Sequence, residues 1–379
     1  MEYLPVFLAL LASVLFATAF RRFHLPWVLA LISAGVVIGP GLNLVEVTPT
    51  LSFLSEIGLI FLMFMAGLET NVSSFKHFKA NIAWLAIPNS LIPFGIGAGI
   101  GMAFGFDLVA ALLLGAIFMS SSIAVIIPTL EATGLITRKL GRSIVAATIV
   151  ADVASLVVLS ILLQSVDPVT ALPLPSFYGL LLVILAAFWY GLPKLRALVP
   201  RRRDERDLFE SEVRIIVALL IGVVITFEFL GLHPIIAGFF TGLVLSESIT
   251  SELLIEKLRT ISYGIFIPVF FVVIGLETDI SVFLAGGSVL GLIATVIGGS
   301  ILSKLASGYL GGRLAGFSAH DALVAGVATT PQLSTTLAVV FSAVELELLD
   351  PELVTAMVAL SIVTTLVAPM ALRALTAPR

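Results

Sequence analysis

A chain of 379 residues with 59% hydrophobic and 12% charged residues, and a mean hydropathy of +1.17, cannot hide its apolar side chains inside a water-soluble domain. The formal net charge of −4 says little by itself, because the placement of the charges carries the information. The absence of cysteine excludes disulfides, thiolate metal sites and thiol catalysis.

Met1–Glu2 is followed at once by an apolar run without a basic stretch, so the first helix is expected to be retained and not cleaved as a signal peptide. Apolar runs this long exceed barrel strands, and lipid offers backbone groups no other partner, so an all-α polytopic membrane protein is expected. Thirteen transmembrane helices are expected over about 3–20, 26–42, 51–68, 81–104, 108–129, 143–164, 174–193, 214–230, 234–246, 261–276, 284–308, 321–343 and 353–372. With the amino terminus outside, nineteen of the twenty Lys and Arg residues fall in inner loops, from Arg21 and Arg22 through Lys194–Arg214 to Arg373 and Arg379. Such cations resist translocation, so this count fixes a multi-pass inner-membrane orientation with a cytoplasmic carboxyl terminus. The longest polar stretch, Pro200–Arg214, leaves no room for a soluble regulatory domain, and its Arg201-Arg202-Arg203 run reads as an anchor touching membrane lipid. The remaining cation, Lys304, lies inside a span.

Leu59–Thr70 reads LIFLMFMAGLET and Pro268–Asp279 reads PVFFVVIGLETD. The shared GLET closes the third helix on the inner side and the tenth on the outer side, which implies two inverted six-helix repeats. The halves are 1–170 and 201–379, joined by a linker helix in 171–200, with Gly115 and Gly326 ahead of polar stretches in the fifth and twelfth helices. Inverted repeats place substrate sites near the bilayer midplane.

Four spots meet that depth. Asp152, Lys304, Ser120-Ser121-Ser122 and Thr329-Thr330-Pro331-Gln332 each lie about 15 Å from a helix end at 1.5 Å per residue. A charge there costs about 2.5–3.5 kcal/mol on insertion scales, so it must face a cavity or a partner. Pro331 removes an amide donor, and the hydroxyls of Ser120, Ser121, Ser122, Thr329 and Thr330 compete for backbone groups. The fifth and twelfth helices therefore read as two broken, crossing helices aiming free carbonyls at one point, a geometry suited to a small cation. Asp152 is expected to hold Na+ or K+ and a proton by turns, with Ser120, Ser121, Ser122, Thr329, Thr330 and Gln332 around it, Pro331 as the break and Lys304 compensating charge. An Asp–Lys pair that only pins two helices is the plain alternative.

These residues resemble the monovalent cation:proton antiporter superfamily, in the branch of NapA-like and Kef-like exchangers. The resemblance is carried by FLMFMAGLET (61–70), PTLEATGLITRKLGRSIVAATIVADVASL (128–156), FFVVIGLETD (270–279) and SKLASGYLGGRLAG (303–316). It implies thirteen helices, a homodimer, and an elevator-like movement of a core carrying the crossed breaks, with Asp152 as the ion- and proton-binding aspartate and Lys304 as the embedded basic residue. Relatives commonly place Asp, Asn or Gln before that aspartate, whereas this chain has Ala151. The lysine then has Asp152 itself, or Glu56, as candidate partners, and one carboxylate implies electroneutral exchange of one proton per cation.

Secondary antiport of Na+ or K+ against H+ is the expected function. A gated K+ channel-like efflux protein and a sodium-coupled organic-anion symporter are the alternatives. Neither an enzyme, a cofactor nor a nucleic-acid partner is expected, since no Walker loop, HExxH or nucleophile–base pair appears.

Overall fold

The computed structural model describes residues 3–22, 27–69, 80–166, 174–198, 211–230, 232, 234–249, 251–278, 287–345 and 348–376. They form helices joined by turns, with no strand among them. In chain order the helices are α1 (Tyr3–Arg22), α2 (Trp27–Val36, extended by a π-helical turn over Val37–Gly41), α3 (Pro49–Glu69), α4 (Ala80–Ala103) and α5 (Leu108–Met119). Next come α6 (Ile123–Ala132), α7 (Lys139–Val166), α8 (Leu174–Leu198), α9 (Ser211–Phe229), α10 (Pro234–Ser246), α11 (Glu252–Ile261) and α12 (Ile267–Glu277). The last four are α13 (Gly287–Leu314), α14 (Ala319–Ala328), α15 (Ser334–Glu345) and α16 (Pro351–Thr376).

Seven candidate spans among the described residues are long and apolar enough to cross a membrane, including α1, α3, α7, α16 and the continuous stretch Glu252–Glu277. Large apolar side chains point outward from several helices, with Leu302 67% and Met370 70% exposed, as a lipid-facing surface requires. The GLET strings sit at helix ends: α3 finishes at Glu69 and α12 at Glu277, with Thr70 and Asp279 outside the described residues. Lys76, Lys79, Asp167 and Arg201–Arg203 also lie outside them.

One stretch departs from the sequence reading. Residues 247–260 were expected as an inner loop, yet Glu252–Ile261 is helical and runs through a π-helical turn, Ser262–Phe266, into α12. Ser251 caps it by accepting from Leu254 N at 3.3 Å, and Leu254 and Leu258 are its buried face. The charges Glu252, Glu256, Lys257 and Arg259 mask an amphipathic helix that average hydropathy cannot detect.

The chain forms two compact units. One comprises residues 54–76 and 163–270. In it Gly67 of α3 meets the Phe239 backbone and Gly242 of α10 meets the Phe64 backbone, so the two helices touch main chain to main chain. Arg259 Nη2 and Glu69 Oε1 pair at 3.0 Å in the same unit.

The other unit comprises residues 1–53, 77–162 and 271–379. Here α4 packs against α5 and α13, and α13 packs against α14 and α16. Small residues allow these approaches: a side chain at Gly97 would strike Leu114 O and Gly115, and one at Gly308 would strike Gly326. Gly101 faces Ala111 as Gly312 faces Ala322. These positions share a constant separation (308 − 97 = 312 − 101 = 326 − 115 = 211).

The corners between the helices match as well. Gly105 and Gly316, both at φ 83°, end α4 and α13 in the left-handed conformation. The next residues, Phe106 and Phe317, return their N–H groups to Gly101 O (3.1 Å) and Gly312 O (3.0 Å). Asp107 and Ser318 then cap α5 and α14, accepting from Ala110 N (2.6 Å) and Asp321 N (3.0 Å).

Candidate functional site

The apolar α5 stops because Ser120 is extended (φ −68°, ψ 158°), and Ser122 is still extended (φ −78°, ψ 104°) when it begins α6. The Ser120 hydroxyl lies 3.0 Å from Ile117 O and 2.9 Å from Thr336 Oγ1, so it helps unwind the turn it follows. The second break has a different cause. Pro331 disfavours helical backbone at Thr330 and supplies no N–H, so α14 ends at Ala328 and α15 begins at Ser334. Its threonines turn back on their own helix: Thr329 Oγ1 donates to Ala325 O (3.0 Å) and Thr330 Oγ1 to Gly326 O (3.0 Å).

The two extended segments bond to each other across the crossing. Ser122 N donates to Pro331 O at 2.7 Å, Ser121 Oγ donates to Thr329 O at 2.7 Å, and Gln332 Nε2 donates to Phe118 O at 3.2 Å. Gln332 N donates to Thr364 Oγ1 of α16 at 3.1 Å. An apolar plug of Leu85, Ile126, Leu130, Ile144, Val324 and Leu372 unites α4, α6, α7, α14 and α16 in the same unit.

Asp152 is brought to this point by α7, 2% exposed, and its Oδ1 accepts from Ser121 N at 2.9 Å. One turn on, Ser155 Oγ donates to Ala116 O at 2.7 Å, which fastens α7 to the end of α5. Lys304 is fully buried, and its ammonium donates to Met119 O (2.6 Å), Ser121 Oγ (2.9 Å) and, at longer range, Asn89 O (3.4 Å). Ser121 therefore stands between the two charges, its N–H on the carboxylate and its hydroxyl oxygen on the ammonium. Lys304 and Asp152, paired in the sequence reading, are thus linked through Ser121. The other candidate partner, Glu56, is an exposed residue of α3.

All the residues singled out from the sequence, Asp152, Ser120, Ser121, Ser122, Thr329, Thr330, Pro331, Gln332 and Lys304, thus lie in one buried hydrogen-bonded cluster. Their side chains differ in what remains free. Ser122 Oγ and Gln332 Oε1 are buried and make no hydrogen bond to the protein, as is Thr148 Oγ1, one helical turn before Asp152. Oxygen atoms next to a carboxylate suit a hard monovalent cation, whereas no cluster of three His, Cys, Asp or Glu able to hold a metal occurs among the described residues.

Sequence reading missed Asn89, Ser155 and Thr364. Asn89 could have been found as an amide side chain inside an apolar helix, four residues before Pro93. Ser155 lies on the Asp152 face of α7, at i+3.

A family model described as sodium/hydrogen exchanger, transmembrane, matches residues 6–377. A probable Na+/H+ antiporter of Methanocaldococcus jannaschii is 31% identical over 383 residues, covering 98% of this chain and 96% of its own length. A Na+/H+ antiporter of Enterococcus hirae is 28% identical, covering 98% of each chain. The Na+/H+–K+ antiporter GerN of Bacillus cereus is 28% identical, covering 98% of this chain and 95% of its own. The solved structure of a sodium proton antiporter from M. jannaschii, MjNhaP1, shares the fold with a TM-score of 0.74 at 17% identity, over 97% of this chain and 95% of that one. The chain is a multi-pass membrane protein that belongs to the transmembrane sodium/hydrogen exchanger family, a family of transporters.

Proposed function

We propose that the chain exchanges a monovalent cation, Na+ or K+, for a proton, with Asp152 binding each in turn. The observation that carries this reading is a buried carboxylate held by Ser121 N at 2.9 Å beside two crossed helix breaks, where Ser122 Oγ and Gln332 Oε1 remain unengaged. A deprotonated Asp152 attracts the cation, and the neutral oxygens replace part of its hydration shell. A protonated Asp152 has no charge to offer it, so the two ligands compete for one site. The names of the relatives from Enterococcus hirae and Bacillus cereus support Na+ as a substrate, and the latter supports K+ as a second.

Within this reading the chain makes thirteen spans with the amino terminus outside and the carboxyl terminus in the cytoplasm. Its halves, 1–170 and 201–379, are an inverted repeat around the linker helix in 171–200. The matched corners at Gly105 and Gly316 and the glycine contacts at a constant separation support that repeat. The crossed-break core moves in an elevator-like cycle within a lipid-embedded homodimer. Among the described residues Asp152 alone supplies a buried carboxylate to the cluster, so one proton exchanges for one cation and no net charge moves.

Proteoliposomes test both points. Proton flux driven by Na+ or K+ is expected for the wild type and lost in Asp152→Asn. Flux retained in that variant removes Asp152 from the mechanism, and a transmembrane current on adding cation contradicts the electroneutral cycle.

A further inference from the structure

Three oxygens receive the Lys304 ammonium, and they come from three different backbone situations. Met119 O belongs to the last residue of α5, one of the carbonyls that a helix end always leaves over, at the negative end of the helix dipole. Ser121 Oγ belongs to the extended break. Asn89 O lies in the middle of α4, where the N–H four residues later would ordinarily take it. That residue is Pro93, which has no N–H to give. The ring thus releases the one α4 carbonyl that Lys304 reaches.

Two further observations tie the proline to the lysine. The Asn89 side chain is held from the lysine's own helix, with Ser307 Oγ 3.3 Å from Asn89 Oδ1. Pro93 and Lys304 also occupy equivalent places in the repeated small-residue pattern (304 − 93 = 211). A kink alone does not explain this arrangement. Pro88, in the same helix, likewise frees a carbonyl, and that carbonyl, Trp84 O, faces Gly311 of α13 and not the ammonium.

We propose that Pro93 is a positioning residue that acts through Lys304. By releasing the Asn89 carbonyl it completes a three-oxygen cage for the ammonium, and the caged ammonium holds Ser121 so that its N–H stays on Asp152. The inference rests on the reading of Asp152 as the exchanging carboxylate.

A double-mutant cycle tests it, in detergent-purified protein by thermal unfolding and in proteoliposomes by Na+-driven proton flux. Pro93→Ala restores the competing N–H. It is expected to raise KM for Na+ about threefold with kcat held within about twofold, the size expected for weakening one long charge-assisted hydrogen bond. Its change in Tm is expected to be more unfavourable with Lys304 present than in a Lys304→Met background, by about 2 °C. Pro88→Ala is expected to shift Tm equally in both backgrounds.

An equal Tm change for Pro93→Ala in the two backgrounds overturns the proposal, as does an unchanged KM for Na+ in the presence of Lys304. Should Pro93→Ala not fold, Pro93→Gly restores the same N–H and is read in the same cycle. The Tm readings need no transport, so they stand even for inactive variants. Failure of the Asp152 reading would appear separately, as flux retained in Asp152→Asn.

Discussion

The break between α5 and α6 and the break between α14 and α15 meet at one crossing but present opposite backbone groups to it. Residues 120–122 keep every N–H, and two of these reach other helices or the second break, Ser121 N to Asp152 and Ser122 N to Pro331 O. Residues 329–332 answer with the carbonyls Thr329 O and Pro331 O, the proline having no N–H to give, and the Gln332 side chain donates in return to Phe118 O. The backbone contact is therefore one-sided, an N–H of the first break against a carbonyl of the second. On the proposed reading the first break fixes the carboxylate, while the second supplies neutral oxygen through Gln332 Oε1.

The largest effect should come from forcing the first break to resemble the second. Ser121→Pro removes the N–H on Asp152 and the hydroxyl that bridges Lys304 to Thr329 O, and is expected to lower Na+-driven proton flux about a hundredfold or more. Pro331→Ala keeps the carbonyl that Ser122 uses, and is expected to cost less than about fivefold. Comparable losses from both substitutions would show that the two breaks do the same work. Ser121→Ala separates the two functions of that serine: the N–H survives, so a loss of about tenfold is expected, between the other two.

A second contrast lies among the serines themselves. Ser122 Oγ is unengaged, whereas Ser120 Oγ is taken by Ile117 O and Thr336 Oγ1. Ser122→Ala and Gln332→Ala are each expected to raise KM for the transported cation about tenfold with kcat little changed, measured in proteoliposomes. Ser120→Ala is expected to leave KM alone and cost about 1 kcal/mol of stability. If one carboxylate serves both ligands, log KM for Na+ falls with a limiting slope of −1 as pH rises through the range where protons compete. A slope of −2 would bring in a second titrating group and end the one-for-one stoichiometry.

The candidate site was readable in the sequence because its residues violate local expectation. Asp152, Lys304 and the polar strings at 120–122 and 329–332 interrupt runs that otherwise suit lipid, so each announced itself by cost. What stayed hidden was carried by the backbone. Nothing in the letters says that Lys304 would choose Met119 O and Asn89 O, because carbonyls are the same at every position until a break or a proline releases one. The role of Ser121 as a bridge was hidden for the same reason, since it depends on an N–H. Helix α11 was missed on different grounds. Its charges spread hydropathy thinly over ten residues, and only its 3.6-residue periodicity, with Leu254 and Leu258 buried, marks it as helix.

The smallest expected effect concerns the corners, where the halves look most alike. Gly105 and Gly316 share φ 83°, and a Cβ at either would meet no atom within 4 Å. Alanine at these positions therefore adds backbone strain without a clash, costing about 1 kcal/mol at each site. Gly105→Ala and Gly316→Ala are expected to lower Tm by the same few degrees in detergent, with KM for Na+ unchanged, because each corner only joins a glycine-packed helix to the capped helix that follows. Unequal shifts would mean that the shared geometry conceals different loads. The asymmetry of the backbone at the crossing, where Ser122 N meets Pro331 O, would then extend to the ends of the helices that form it.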